Sequence, residues 1–563
     1  MRNSKFEIRN SKFLSYKLTR REVLAAFLGV PAALAACRSP AVPPLPPGEI
    51  VGASDGIGHR IRDGFRVAPS QDNWRHASVV IVGGGVAGLA AAWRLLRSGF
   101  EDFVVLELER DAGGTARSGT SSVVPFPWGA HYLPAPMKDN PALISLLDEM
   151  GVLEGRTSEG EPIVGEQYLC RDPEERVFYR GRWYEGLYLR AGASEEDLAQ
   201  LAAFEKEIAR LVAWRDARGR RAFAIPVAMS TDDAEITSLD RITIAEWLRN
   251  KGFTSPRLLW LVEYGCRDDY GMTLKTTSAW AGLFYFASRV RKPGDEAQPL
   301  ITWPEGNGRL VSHLYGKARS HVRLGQAACE IIPTNPGDRE GLDVVAIEHD
   351  GQNAVGYHTA RVIFAAPHFL TRYIIRPYKE EAPVHVAEFE YGAWMVANLF
   401  LKDRPRSLGF PLAWDNVLYD SPSLGYVVAT HQRGLDHGPT VFTYYYPLTD
   451  EDPRTARARL LETGWSSWAD VALTDLTRAH PDIRLLVDRL DVMRWGHAMI
   501  RPRPGFVWSD ARMKAAKPYR GIHFANTDLS GVPLFEEAFY HGIRAAEEVL
   551  TGQRRDVATP IPQ

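Results

Sequence analysis

The stretch from 79 to 107, VVIVGGGVAGLAAAWRLLRSGFEDFVVLE, constrains the fold of this chain more than any other part of it. The apolar run Val79–Val82 predicts a short buried strand, because it lacks polar alternation and runs directly into glycines. Apolar residues at helical spacing follow, and Gly99 ends that helix. A second apolar run, Phe103–Leu108, predicts the next strand. The pattern is therefore a parallel strand–helix–strand unit.

The turn between the first strand and the helix reads G-x-G-x-x-G, and an acid ends the second strand. The first glycine permits a tight turn, the second lets backbone N–H groups approach a pyrophosphate, and the third lets the helix pack closely on the strand. The helix N-terminus favours phosphate, and the acid can accept hydrogen bonds from ribose hydroxyls. The residues expected to contact a dinucleotide here are Gly83, Gly85, Val86, Ala87, Gly88 and Glu107.

Length and composition limit what else the chain can be. Its 563 residues are too many for one ordinary core, so we expect two domains or a large composite one. A formal net charge of −2 gives no basic excess for binding nucleic acid. Beyond Cys37 the chain has Cys170, Cys266 and Cys329, without CxxC spacing, so neither a metal site nor a disulfide framework is expected.

The N-terminus, residues 1–37, is interpreted as an export signal rather than as part of the fold. Arg20-Arg21 precedes an apolar run, as in twin-arginine signals, and Leu34–Cys37 resembles a lipoprotein box. The alternative is a plain N-terminal anchor helix, for which the apolar run is short. The proline-rich stretch that follows predicts a linker over 38–75. We expect a periplasmic protein, or one on the outer face of a bacterial membrane, lipid-anchored at Cys37.

Three further motifs identify a family. Gly113-Gly114 follows the fingerprint acid, Trp128–Tyr132 reads WGAHY, and the C-terminal segment reads GIHFANTDLSGVPLFEEAFYHGIRAAEEVLTG over 521–552. Together with the fingerprint they resemble the flavin-containing amine oxidase superfamily, which includes monoamine and polyamine oxidases and is related to protoporphyrinogen oxidases and phytoene desaturases. The resemblance covers most of residues 76–552 and is strongest at the two ends.

The resemblance implies FAD as cofactor, and a set of residues around it. No cysteine lies near the segment expected at the flavin ring, so the FAD is expected to be non-covalent. Thr115 stands where the family usually has an arginine, and whether Arg117 substitutes for that arginine is left open. Asn526 replaces a glycine that is usual in the C-terminal motif. The further cofactor contacts that it implies are Gly114, Thr115, Gly129, Ala130, His131, Ala328, Thr527, Asp528, Leu534 and Phe535.

The resemblance also implies the fold, an α/β class with a Rossmann-like FAD-binding domain assembled from three separated segments, plus an α+β substrate domain. The FAD-binding segments are expected at 76–150, 301–375 and 496–552. The substrate domain is expected to comprise a helical segment, 151–300, and a second segment, 376–495.

For the chemistry, the resemblance implies an enzyme that removes a hydride from a C–H bond of a small substrate, with a C–N bond expected. O2, a quinone or a redox protein would accept the electrons. Two departures limit the amine reading: Val396 aligns with the family's flavin-site lysine, with Lys402 too late in register, and Leu534 falls at a position of the aromatic cage. No catalytic base is evident, and His131 and His497 are the candidates.

Two alternatives therefore stay open. One is a desaturase-like or porphyrinogen-oxidase-like enzyme acting on an apolar substrate, which a dry pocket without acidic residues would favour. The other is a flavoprotein without turnover, serving as scaffold or electron carrier, since fold and cofactor alone do not establish activity. An exposed flavin with no cavity over its ring would favour this second alternative.

Overall fold

The structure is a computed structural model that describes residues 43–334, 341–348 and 351–556, the last four of these by backbone only. The predicted export signal and the lipoprotein cysteine, Cys37, lie outside the described residues. All elements named below belong to the unit that begins at Pro46. Within the described part of the chain, none of the helices has the length and apolar content needed to cross a membrane.

The strands, in chain order, are β1 (Ile50–Gly52), β2 (Trp74–His76), β3 (Val79–Val82), β4 (Phe103–Glu107), β5 (Ser118–Gly119), β6 (Phe126–Pro127), β7 (Tyr132–Pro134), β8 (Leu153–Arg156), β9 (Pro162–Val164), β10 (Glu175–Tyr179), β11 (Arg182–Glu185) and β12 (Leu300–Thr302). They continue with β13 (Val322–Leu324), β14 (Gln326–Pro333), β15 (Leu342–Glu348), β16 (Ala354–Thr359), β17 (Arg361–Phe364), β18 (Tyr391–Leu401), β19 (Asp415–Leu418), β20 (Gly425–Val428), β21 (Thr440–Pro447), β22 (Val487–Ile500) and β23 (Ile522–Phe524).

The helices are α1 (Asp55–Arg62), α2 (Val86–Arg97), α3 (Pro141–Glu149), α4 (Glu195–Ala213), α5 (Ala234–Thr237), α6 (Ile244–Asn250), α7 (Pro256–Tyr270), α8 (Ala279–Ala287), α9 (Gly308–Ala318), α10 (Thr371–Ile374), α11 (Arg376–Glu380), α12 (Pro453–Glu462), α13 (Trp465–Thr477), α14 (Ile483–Leu486), α15 (Asp510–Ala515) and α16 (Phe535–Asp556).

The nucleotide-binding half is built on a parallel five-stranded sheet in the order β13-β4-β3-β17-β23. Strand β3 is buried on both faces, which explains its continuous apolar run. Val79 and Ile81 pack against α2, α9 and α16 on one face. Val80 and Val82 face the opposite side, where the second sheet, β14-β15-β16-β2, covers them. This is the Rossmann-like layering that the sequence predicted.

The strands of that sheet come from three distant parts of the chain. Strands β3 and β4 belong to the first predicted segment, β13 and β17 to the second and β23 to the third. Helix α16 closes the assembly by packing on α2, where the bare Cα of Gly542 approaches the carbonyl of Ala87. The predicted fold class, with its FAD-binding domain assembled from separated segments, is confirmed.

The other half holds an eight-stranded sheet, in the order β1-β22-β18-β21-β20-β19-β10-β11, and a helical layer from α4 to α8. Two predicted boundaries need correction. The 151–300 segment is helical only from α4 onward, because its first part forms β8 to β11, and β10 and β11 extend the large sheet. Strand β22 runs to Ile500, so the boundary at 495 falls inside a strand, and His497 belongs to the large sheet.

The predicted 38–75 linker is also wrong for most of its length. The proline cluster ends at Pro47, and the chain then forms β1, which pairs in parallel with β22, and the two-turn helix α1. Strand β2 joins the small sheet beside β16. The prediction rested on the proline content, but β1 joins the large sheet, and apolar residues from α1 onward, such as the buried Ile61, pack in the core of the nucleotide-binding half.

Candidate active site

A cavity of about 470 Å³ lies at the carboxyl ends of β3, β4 and β17 and extends beneath the large sheet. That volume lies within the range of small-molecule and cofactor pockets, and its lining is mostly apolar. The carboxyl ends of parallel strands are where ligands of open α/β sheets bind. We call this cavity the cleft.

The floor of the cleft is bare backbone. Gly85 and Gly114 face each other, and a Cβ added to Gly114 would lie 3.6 Å from the Cα of Gly85. Gly114 also has φ of +56°, a conformation that favours glycine. Gly88 was expected among the cofactor contacts, but it does not line the cleft. An added Cβ there would overlap the carbonyl of Gly83, so this glycine serves the close packing of α2 against the turn. A shallow backbone cradle of this kind fits a pyrophosphate.

The acid of the fingerprint, Glu107, sits at the rim of this cradle. Its carboxylate accepts hydrogen bonds from the backbone N–H of Gly84 at 2.7 Å and of Glu109 at 2.8 Å. Burial raises the pKa of Glu107 to about 7, against the effect of those hydrogen bonds. The two bonds fix the carboxylate in place, in a position to accept hydrogen bonds from a ribose.

Arg117 does not take the place of the missing arginine at position 115. Its guanidinium is buried outside the cleft, 3.7 Å from the Glu109 carboxylate and 3.4 Å from the sulfur of Met493. Thr115 itself lines the cleft. Here the chain departs from the family pattern, and no arginine lines the cleft in the part of the chain that the structure describes.

The C-terminal motif supplies the wall opposite the glycines. Asp528 accepts hydrogen bonds from the backbone N–H of His368 at 2.7 Å and from the Tyr391 hydroxyl at 2.6 Å. Burial raises the pKa of Asp528 to about 6. Helix α16 begins at Phe535, beside the cleft, so its unpaired N–H groups are available to a polar ring edge there.

The end of the cleft farther from the glycine turn is aromatic. His131 stacks on Tyr445 at 4.7 Å between ring centroids, and the Tyr445 hydroxyl donates to the carbonyl of Gly129 at 2.9 Å. The ring centroid of Trp414 lies 5.3 Å from that of His131. Burial lowers the pKa of His131 to about 4, so the ring is neutral at physiological pH. A neutral imidazole can accept a proton or donate one hydrogen bond, but it brings no charge.

A buried group of acids lies next to this aromatic end. Asp268 lines the cleft and accepts a hydrogen bond from the Tyr132 hydroxyl at 3.0 Å. Its neighbour Asp269 is paired with Arg289, of which one guanidinium nitrogen, Nη2, donates to both carboxylate oxygens, at 2.7 and 2.9 Å. Burial, and then the charge of Asp269, raise the pKa of Asp268 to about 8. Asp415, bonded to Tyr264, has its pKa raised to about 7 by burial.

Sequence reasoning missed these acids and Tyr445. Asp268 lies on α7, Asp415 on β19 and Tyr445 on β21, and no short motif links them. The only signal was the Asp268-Asp269 pair within a helical pattern, which by itself indicates a solvated face. Their proximity exists only after the helical layer and the large sheet have packed.

The structure brings the residues predicted from sequence to one cavity, with Gly88 behind it. His131 and His497 both line it but in different surroundings: His497 stacks on Phe369 at 4.0 Å, and burial lowers its pKa to about 3. The predicted cofactor contacts in the lining are Gly83, Gly85, Val86, Ala87, Glu107, Gly114, Thr115, Gly129, Ala130, His131, Ala328, Thr527, Asp528, Leu534 and Phe535.

The positions where the chain departs from the amine oxidase pattern are also in the cleft. Val396 and Leu534 contribute apolar surface to it, and no lysine of the described residues lines it. Lys402 lies at the protein surface, paired with Asp488 at 3.0 Å. Trp495, on β22, also lines the cleft, whereas Phe506, beyond the end of that strand, is buried in the core elsewhere.

Comparisons with known proteins agree with this geometry. Residues 81–150 match the NAD(P)-binding Rossmann-like domain. AofH of Mycobacterium tuberculosis, whose name as a flavin-containing monoamine oxidase is itself provisional, is 28% identical over 299 residues. That match covers 51% of this chain and 56% of AofH, so the chain spans little more than half the length of the curated relatives it matches.

Solved structures share the fold across both halves. A putrescine oxidase bound to putrescine aligns with a TM-score of 0.59 at 18% identity, over 85% of this chain and all of that one. Cyclohexylamine oxidase from Brevibacterium oxydans aligns with a TM-score of 0.57 at 15% identity, over 85% and 100%. A fatty acid isomerase from P. acnes that produces CLA also reaches 0.57, at 13% identity, over 85% and 99%.

The fold is thus that of flavin amine oxidases and their structural neighbours. The residues present fit FAD, because the bare glycine floor and the fixed carboxylate of Glu107 lie at one end of the cleft, and the start of α16 and the aromatic residues lie along its remainder.

Proposed function

We propose that the protein is an FAD-dependent oxidoreductase that oxidises a small amine at a C–H bond beside nitrogen. The observation that carries the substrate class is Asp268, a carboxyl group in the wall of the cleft near His131. An apolar substrate gains nothing from a buried acid, whereas a protonated amine supplies the counter-charge beside which this carboxyl group can ionise. The amine oxidases that share the fold support this choice.

Bound FAD would supply the redox chemistry, by accepting the hydride equivalent. The chain's own residues bind and orient the substrate and keep water out. Asp268 would bind the substrate ammonium as a carboxylate. Because burial raises its pKa, it can then take up the proton that the amine must lose before oxidation. His131 and Tyr445, stacked together, would hold the substrate carbon at the ring end of the cleft.

The test is an anaerobic titration of the purified protein, followed by its visible flavin spectrum. Aliphatic monoamines, diamines and polyamines, aromatic amines and amino acids are added separately. Bleaching of the flavin band by one class of amine is the expected result. Folded protein without any flavin band would overturn the proposal as a whole, and reoxidation on admitting air would identify O2 as a competent electron acceptor.

A second candidate is an enzyme acting on an apolar substrate, in the manner of desaturases or porphyrinogen oxidases. Val396 and Leu534 favour it, because they replace polar or aromatic groups of amine oxidases with aliphatic surface. A stable flavin band that no amine bleaches, but that a hydrophobic alkene or porphyrinogen does, would select this function. A flavin that no substrate reduces would select the third alternative, an electron carrier.

We also propose that the protein is exported and lipid-anchored. The support is in the sequence alone, from Arg20-Arg21 and the lipoprotein-like box ending at Cys37. The double variant Arg20→Lys, Arg21→Lys should keep the protein in the cytoplasm, and Cys37→Ser should release an exported protein from the membrane fraction. A wild-type protein recovered with the cytoplasm would contradict this proposal without affecting the enzymatic one.

A further inference from the structure

The segment from Pro46 to Arg66, which we call the strap, precedes the Rossmann unit in sequence and lies across its ligand-binding edge. It contains β1, a short turn and α1. Two of its residues, Gly58 and Ile61, line the cleft. A dinucleotide fold that begins with β3 does not need such a segment, so its position calls for an explanation.

The first residues of the strap are anchored to the half of the molecule that holds the eight-stranded sheet. The backbone N–H of Leu490 donates to the carbonyl of Pro47 at 3.0 Å, and that of Val492 donates to the carbonyl of Glu49 at 2.9 Å. The Arg489 guanidinium pairs with the Glu49 carboxylate at 2.6 Å. This end is therefore held in the edge of the large sheet.

The middle of the strap is tied to the loop that carries the fingerprint acid. Both the backbone N–H and the hydroxyl of Ser54 donate to the Glu109 carboxylate, each at 2.8 Å. The backbone N–H of Glu109 in turn donates to Glu107. A continuous set of hydrogen bonds thus joins the strap to the carboxylate expected at the ribose.

Helix α1 then covers the adjacent part of the cleft. Ile61 is only 6% exposed and packs in the same cluster as Leu106, Ala328 and Ile374. Beyond the helix, the Arg66 guanidinium donates to the carbonyl of Tyr373 at 2.9 Å. Since Glu107 is the residue expected at a ribose, and Ala328 is another expected cofactor contact, the helix lies over the adenosine end of the cleft.

Gly58 shows which way the helix faces. A Cβ added at Gly58 would meet no heavy atom within 4 Å, although the residue is half-buried and lines the cleft. The space beside it therefore belongs to the ligand rather than to another part of the protein. Gly56, two residues earlier on the same helix, also has open space but faces solvent and does not line the cleft.

We propose that the strap is a fourth FAD-binding segment, which closes over the adenosine half of the cofactor and slows its release. The inference rests on the proposed FAD site. To leave the cleft, the adenosine must displace α1, which breaks the Ser54–Glu109 hydrogen bonds and draws Ile61 out of the core. A segment held at both ends opens less often than a free loop, so it lengthens the residence time of the ligand.

The decisive comparison is between Gly58→Leu and Gly56→Leu. Both replace a helix glycine by the same good helix former, but only the side chain at 58 projects into the cleft. Purified Gly58→Leu should contain little FAD and bind it at least tenfold more weakly in a fluorescence titration of the apoprotein. Gly56→Leu should match the wild type in both measurements.

Ser54→Ala tests the tie independently of any steric block. It removes one of the two hydrogen bonds to Glu109, and the rate of FAD release, followed by the rise of free-flavin fluorescence on dilution, should increase severalfold. Circular dichroism of each apoprotein verifies the fold; if Gly58→Leu misfolds, Ser54→Ala decides. Wild-type release rates in Ser54→Ala, or wild-type affinity in folded Gly58→Leu, would overturn the strap proposal alone. A wild-type protein without affinity for FAD would overturn the proposed function with it.

Discussion

The two ends of the cleft differ in what they are made of. The dinucleotide end consists of backbone, contributed by glycines that lie close together in sequence, with one acid fixed by two N–H groups. The other end is lined by side chains from several elements, among them Asp268 on α7 and Tyr445 on β21, and it departs from the family pattern at Val396 and Leu534. In the proposed function, cofactor binding therefore depends on the local backbone conformation of the glycines, whereas substrate binding depends on tertiary packing that brings distant side chains together. Changes at the two ends should have separable effects.

The largest effect is expected from Gly88→Val, at the dinucleotide end. The added side chain would overlap the carbonyl of Gly83 and the Ile81 side chain, and overpacking of this kind costs about 2 kcal/mol or more in free energy of unfolding. Thermal unfolding should show a clearly lowered Tm, and FAD should be lost. Gly316→Ala, on α9 with open space around its Cα, is the control and should lose neither. Retention of FAD by Gly88→Val would contradict the idea that cofactor binding depends on the backbone at this end of the cleft.

The next effect is expected from Asp268→Asn, at the substrate end. Asparagine can still accept the Tyr132 hydrogen bond, but it cannot pair with an ammonium. A hydrogen bond to a charged group contributes about 1.5–3 kcal/mol, so KM for the amine should rise roughly 10- to 100-fold. The FAD content should stay at the wild-type level. Asp436→Asn, an exposed acid far from the cleft lining, controls for loss of charge. Loss of FAD instead of amine affinity would show that the two ends are not separable.

A smaller effect, and a more specific one, is expected from pH. Because the pKa values of Asp268 and Asp415 are raised to about 8 and about 7, both carboxyls are neutral in mildly acidic solution and ionise as the pH rises. Amine binding should strengthen between about pH 6 and pH 8, while the amine itself stays protonated. Stopped-flow reduction of the flavin at several pH values measures this. The profile should flatten in Asp268→Asn, and an unchanged profile in that variant would assign the ionisation to another group.

The smallest effect is expected from Lys402→Ala. Lys402 forms an exposed pair with Asp488, and pairs of this kind contribute about 0–1 kcal/mol to stability. Turnover should be unchanged, because this lysine lies outside the cleft. A large decrease in the rate of flavin reoxidation would mean that Lys402 acts at the flavin. Lys402 would then take the role of the flavin-site lysine of amine oxidases, with which Val396 aligns.

Sequence alone predicted the Rossmann-like unit and most of the residues that line the dinucleotide end of the cleft, for a physical reason. Gly83, Gly85 and Glu107 are needed by a turn and a strand end that are local in the chain, so their spacing is visible. The acids at the substrate end, Asp268 and Asp415, lie far apart in sequence and take their raised pKa values from burial, which no local pattern reports. The linker prediction failed because the prolines before position 48 outweighed Ile61 and its apolar neighbours.

The mixed origin of the parallel sheet has a consequence for the order in which the protein can form during synthesis. Val80 pairs with Val362, and Val362 pairs with Ile522, so neighbours in the sheet are roughly 280 and 160 positions apart along the chain. A ribosome adding about 5–20 residues per second leaves the central strand β3 without its neighbour β17 for many seconds. The sheet, and with it the wall that α16 provides, is complete only when almost the whole polypeptide has emerged. A nonsense codon late in the message would therefore produce a chain that has every glycine of the fingerprint but lacks the complete sheet and the α16 wall needed to bind a nucleotide.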